Sequence, residues 1–184
     1  MLHQPPSPIS IQPRPPLTVT QLFREQHFGI AEGYPWTPPP DSGNKTLEEF
    51  YKEGIFPEIH GRDAKFPDGE SPNDVTLRVE RGIKECILPH LFDKSQEGAH
   101  IGIASHGICL AELISALVRL DPDLDTTKSY RGHWNTAWSR IEISFKHEHE
   151  GPYNPDALPP LRVNLLAFNE HKHLSSLPPP KSDE

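Results

Sequence analysis

His100-Ile-Gly-Ile-Ala-Ser-His106-Gly-Ile-Cys-Leu-Ala-Glu112-Leu-Ile carries an apolar run onto a histidine and opens an apolar helix at once. Small and β-branched residues over 100–105 read as a buried strand, and residues 107–119 as a long helix. Such a junction suits an anion: a helix N-terminus offers unpaired amide donors and the positive end of the helix dipole. An imidazole at that point can help hold a phosphoryl group. His106, with the amides of Gly107 and Ile108, is therefore the first candidate site.

Upstream, Ser71 is a good N-cap, Pro72 suits the first helical position and Asp74 stands three residues after the cap. Val75, Val79, Gly82, Ile83, Cys86 and Ile87 then recur at spacings of three and four, an apolar stripe that leaves Arg78, Glu80, Arg81, Lys84 and Glu85 mostly outward. Pro89 is expected to bend or end this helix. Thr46 caps a shorter helix before Leu47-Glu-Glu-Phe-Tyr51, which Gly54 terminates. Strands are expected at 17–23, 100–105, 137–145 and 161–168, so the order is α/β. Residues 24–33 hold two carboxylates, an arginine, a histidine and two glycines, the composition of a shaped functional loop.

With 184 residues, 34% of them hydrophobic, the chain suits one domain with a modest core. Its 22 prolines concentrate at the two ends and around 35–40 and 152–160, where ordered elements should break. A net charge of -8 with no Lys/Arg cluster argues against nucleic-acid or acidic-membrane partners. No apolar run is long enough to span a bilayer, and the first residues lack the basic start and apolar centre of a signal peptide. Cys86 and Cys109 lie inside apolar helical patterns and read as buried free thiols. A cytoplasmic protein is the expectation.

Five short signatures stand in order: Phe23-Arg24-Glu25-Gln26-His27-Phe28-Gly29 with Ala31-Glu32-Gly33; Pro67-Asp68-Gly69-Glu70-Ser71; Ser105-His106-Gly107; Asn135-Thr136-Ala137; and Asn169-Glu170-His171-Lys172-His173-Leu174. Together they resemble the histidine phosphatase superfamily, most closely its phosphoglycerate mutase-like branch. The resemblance implies a three-layer α/β sandwich over a mostly parallel sheet. It also implies phosphomonoester hydrolysis through a phosphohistidine, with no metal and no other cofactor. In that family a first-strand histidine attacks phosphorus, two arginines and a second histidine bind the transferred group, and a glutamate protonates the leaving oxygen. By motif position Glu25 is implied as the acid and His106 as the second histidine. Gly107 and Asn135 would shape the pocket, and His27 and Trp36, beside Glu25, would line its entrance. The partner would be a phosphorylated small molecule or a phosphoprotein.

The family's Arg-His-Gly nucleophile triplet does not occur in these residues. His60-Gly61-Arg62 and Arg131-Gly132-His133 come nearest, but neither ends an apolar strand, and both read as loops. The expectation is a partial domain over 17–174 without the family's first strand and helix, and so catalytically inactive by itself. A disordered proline-rich lead (1–16) precedes it and a disordered tail (175–184) follows. Glu70 and Ser71 read as helix capping. Two other functions compete with catalysis by this family. One is a non-catalytic module that binds a phosphorylated ligand or a protein. The other is a serine esterase, since Gly102-Ile-Ala-Ser105-His-Gly107 approximates a nucleophile elbow, although that elbow requires Gly-x-Ser-x-Gly. His147-Glu-His149-Glu150 and His171-Lys-His173 have spacings a metal could use, but read as solvated loop histidines.

Overall fold

Thr46 and Ser71 start their helices by the same device. Each side chain accepts the amide of the residue three positions on, and Glu49 and Asp74 return the bond to the cap's own amide, closing a capping box at both sites. The first box opens α1 (Leu47–Lys52) and the second opens α2 (Pro72–Gly82) in a computed structural model that describes residues 15–35 and 45–175. Trp36 and most of the expected terminal lead and tail lie outside the described residues.

Pro89 does not end the helix that Ser71 begins. The chain runs from α2 through a π-helical turn, Ile83–Ile87, straight into α3 (Leu88–Phe92), where the proline sits in the first turn. Widening the turn resets the hydrogen-bond register, and the amide that proline lacks falls among those a first turn leaves unpaired. After α3, α4 (Gly107–Val118) follows as the sequence indicates, buried along most of its length. β1 (Trp138–Phe145) and β2 (Leu161–Glu170) pair antiparallel, Ile141 opposite Leu165 and Ile143 opposite Val163, with register shifts between Trp138 and Ile141.

Val75, Val79, Ile83, Ile87 and Leu88 pack against Cys109, Leu113, Ala116 and Leu117 of α4, and Leu161 closes the cluster from the hairpin. Burying each large aliphatic side chain contributes about 1.5–3 kcal/mol, so this α2–α4 seam is the chief source of stability. Ile114, Val118 and Tyr130 continue it towards Leu165 and Phe168. The hairpin is also tied by charge. Lys146 bonds to Asp121 at 2.5 Å and to Asp123 at 2.6 Å, and Asp121 accepts the Val163 amide at 3.1 Å. A separate aromatic cluster of Tyr51, Phe56 and Phe66, with Ala31, underlies the 24–33 loop.

Two expected strands are not strands here. Gln21–Phe23 forms a single 3-10 turn capped by Thr20, and residues 17–20 belong to no regular element, with Leu17 and Val19 open to solvent. Residues 100–105 are extended, but no backbone hydrogen bond reaches them among the described residues. Ile103 packs on the core and, like Ser105, is half-buried, whereas Gly102 and Ala104 are exposed, so one face is covered and the other open. A strand requires lateral partners, and an apolar pattern records burial without supplying them. The described sheet is therefore a two-stranded antiparallel hairpin, not a mostly parallel sheet. No helix among the described residues is long and apolar enough to cross a membrane.

The capping box of α2 yields a pH prediction. Asp74 accepts the Ser71 amide at 2.9 Å and the Lys65 ammonium at 3.0 Å, and these bonds, the backbone one foremost, hold its carboxyl down at about 2. An unfolded aspartate titrates near about 3.9, so this stabilisation is complete above that pH and is lost as pH falls towards 2. The carboxylate is 40% exposed, which keeps the effect modest. Asp74→Asn should lower the urea midpoint at neutral pH, and the gap from the wild type should narrow as pH drops from about 5 towards 2. A gap that ignores pH would overturn the assignment.

Candidate functional site

The loop that carries Glu25 is shaped by its glycines. Gly29 has φ +60, and a Cβ there would lie 2.0 Å from the Pro67 carbonyl oxygen, so only glycine lets residues 27–30 lie against residues 67–70. Two backbone bonds close that contact: Ile30 donates to Pro67 at 3.1 Å, and Glu70 donates to His27 at 2.7 Å. The Gln26 side chain adds to it, donating from Nε2 to the Glu70 carbonyl at 2.6 Å.

Glu70 is the hub of this contact, not a helix cap. Its carboxylate accepts both arms of Arg24 at 2.7 and 2.8 Å, Arg78 at 3.0 and 3.2 Å, and the His27 amide at 3.0 Å. Burial pushes its carboxyl up, but the bonds from Arg78, from the His27 amide and from Arg24 outweigh this and leave it below the usual range. Arg78, expected on the outer face, is instead 14% exposed. The spacing 71, 75, 78, 82 does place it on the flank of the buried stripe, a signal that its charge obscured. Ser71 remains the cap the sequence indicates.

Held in this way, Glu25 turns its carboxylate onto the first turn of α4. Oε1 accepts the amides of Gln26 at 2.9 Å and Cys109 at 3.0 Å, and Oε2 accepts that of Ile108 at 3.3 Å. Glu25 and His106 therefore meet at one helix N-terminus, although the residues are far apart in sequence. The Ile108 amide, expected to face an anion, is taken by this carboxylate. His106 occupies the N-cap position in extended conformation, and its imidazole makes no capping bond. It is exposed, as is Gly107, whose Cα faces open space.

Other candidates divide. His27 Nδ1 lies 3.1 Å from the Asp68 carbonyl and 3.2 Å from the Gly29 amide; one tautomer satisfies each, so this ring edge belongs to the loop lock and Nε2 faces outward. Asn135 is exposed in the turn before β1, with no hydrogen bond to Glu25 or His106. The bracing its motif suggested is done by Asn169, which accepts the Trp134 amide and donates to the Gly132 carbonyl, both at 2.9 Å. Ser105 donates its hydroxyl to the Phe23 carbonyl at 2.5 Å, a tether between the two halves of the site rather than a serine paired with an imidazole. Burial pushes the adjacent Cys109 thiol up.

Arg62, read as a loop residue, is bound into the fold. It reaches Glu112 at 2.8 and 3.1 Å, and Thr76 donates to the same carboxylate at 2.7 Å. These residues line an open groove of about 840 Å³ between α2, α4 and residues 126–131, which none of the candidate residues enters. His133 packs edge-on against Phe168 with neither ring nitrogen hydrogen-bonded, and burial lowers its pKa. His149 packs on Phe92 and Phe145, and His171 stacks on Trp134. Among the described residues no group of three or more His, Cys, Asp or Glu could hold a metal ion.

The histidine phosphatase superfamily, branch 1, matches residues 6–150. No curated protein and no solved structure matches the chain. The family match spans most of the sequence, including the loop of Glu25, the loop of Glu70 and the start of α4. The chain belongs to the histidine phosphatase superfamily.

Gly29→Ala tests the loop lock. The substitution combines a left-handed backbone with a collision against main-chain atoms, and should lower stability by about 2 kcal/mol or more. A urea midpoint equal to that of the wild type would show that the two loops do not lie as described.

Proposed function

We propose that this chain carries the proton donor and the second histidine of a phosphomonoester-processing centre of the phosphoglycerate mutase-like kind. The observation that carries the reading is the Glu25 carboxylate seated on the amides of Ile108 and Cys109, one turn from His106. Phosphoryl transfer needs positive charge and donors around the phosphoryl oxygens and a proton for the departing oxygen. His106 and the Gly107 amide supply the first, Glu25 the second. Oε1 already takes two amides and Oε2 only one longer contact, so Oε2 is the oxygen with room for the proton. As the histidine nitrogen–phosphorus bond forms and the phosphorus–oxygen bond breaks, that proton passes to the leaving alkoxide. His27 and Asn135, both exposed, flank the substrate. The substrate class is a phosphorylated small molecule or a phosphoprotein.

The attacking histidine is not supplied by an Arg-His-Gly triplet among these residues. The family's three-layer sandwich asks for a strand beside residues 100–105, whose backbone groups have no backbone partner among the described residues. A strand ending on Arg-His-Gly and laid along them would bring its histidine to the start of α4. By itself, then, the 184-residue chain should bind inorganic phosphate without hydrolysing phosphomonoesters.

Phosphate should raise the melting temperature of the chain in proportion to the logarithm of its concentration once binding saturates. His106→Ala should abolish that rise while leaving the ligand-free melting temperature nearly unchanged, because the imidazole makes no capping bond. An equal rise in the variant would overturn the assignment. Turnover of p-nitrophenyl phosphate at an ordinary phosphatase rate would show that the nucleophile lies within these residues after all.

A further inference from the structure

We infer that Glu70 is a positioning residue for Glu25, acting through Arg24 and Arg78; the purpose assigned to it rests on the reading of Glu25 as proton donor. The Glu25 backbone carbonyl accepts from Arg24 Nη1 at 2.9 Å and from Arg78 Nη2 at 3.2 Å. Both guanidinium groups are anchored on the one Glu70 carboxylate. On the other side of Glu25, Gln26 and His27 bind the backbone and the carboxylate of the same Glu70. The main chain at residue 25 is therefore held on both sides by one residue 45 positions later in sequence, and the Glu25 side chain has only its own torsions left to set.

Stability alone does not account for this arrangement. Arg78 and Glu70 are 14% and 17% exposed, and pairing charges at that depth is rarely a net gain over apolar packing. The α2–α4 seam already anchors α2 through Val75 and Val79, both fully buried. What the cluster adds is direction. Planar guanidinium groups bind in fixed geometry, so the carbonyl of Glu25, and with it the point from which the carboxylate reaches α4, is held at a defined place. Arg78 also reaches the Leu22 carbonyl at 2.9 Å, extending the clamp to the turn that precedes the loop.

The amide protons of Ile108 and Cys109 report directly on whether the Glu25 carboxylate is seated. In the full 184-residue chain, Glu25→Ala should move the proton NMR shifts of these two amides upfield. Glu70→Gln should displace the same two amides towards their Glu25→Ala positions. Arg78→Met should do likewise, and Arg78→Lys should restore part of the displacement. Val79→Ala, which weakens the core of the same helix without touching the cluster, should lower the melting temperature and leave both amides in place. Should Glu70→Gln fail to fold, Arg24→Lys removes one bidentate contact at a 38% exposed side chain and should still move the amides. Unmoved amides in the folded Glu70 or Arg24 variant would overturn the inference. If the amides move but phosphate fails to stabilise the wild type, positioning stands and the phosphate-site reading falls; the reverse pair of outcomes removes positioning alone.

Discussion

The carboxylate of Glu70 draws together the loop of Glu25, through Arg24 and the His27 amide, and the second turn of α2, through Arg78, which also reaches the turn that ends at Phe23. Each of its oxygens takes more than one donor, and two guanidinium groups share it. A single negative charge against two positive ones leaves the cluster cationic beside the site, where an incoming phosphoryl group would bring negative charge. Removing Glu70 would leave two half-buried guanidinium groups without their carboxylate, the costly half of breaking a buried pair.

The start of α4 depends on that arrangement. Its exposed amides and dipole attract an anion, and in this structure the anion is internal: the Glu25 carboxylate. On the proposed reading, proton donor and helix cap are one group in two roles: as a cap it accepts amides, and as an acid it would keep one oxygen for a proton, for which the unequal sharing of amides between Oε1 and Oε2 leaves room. Ser105, bound to the Phe23 carbonyl, keeps the end of the extended segment beside the same loop.

Local chemistry was legible in the sequence wherever a short-range rule governs. The caps at Thr46 and Ser71, the start of α2, the extent of α4 and the two paired strands follow from capping preference, apolar periodicity and β-branching, each of which acts over a few residues. That the helix runs on past Pro89 to Phe92 was not legible, because a π-helical turn can absorb a missing amide and no local rule places such a turn. The part played by Asn169 was not legible, because motif position identifies a neighbourhood and not the side chain that reaches across it.

By itself the sequence determined the family, the helices opened by Thr46, Ser71 and His106, the two strands that pair, and Glu25 with His106 as candidates, since motifs and periodicities survive in one dimension. Only the tertiary structure decided which arginines serve Glu70, that Glu25 seats on Ile108 and Cys109, and that residues 100–105 stand without a backbone partner among the described residues. Such facts depend on which side chains converge from segments tens of residues apart, and on whether a neighbouring strand supplies the complementary backbone groups. Convergence of that kind is a property of the packed chain, and residue spacing does not encode it.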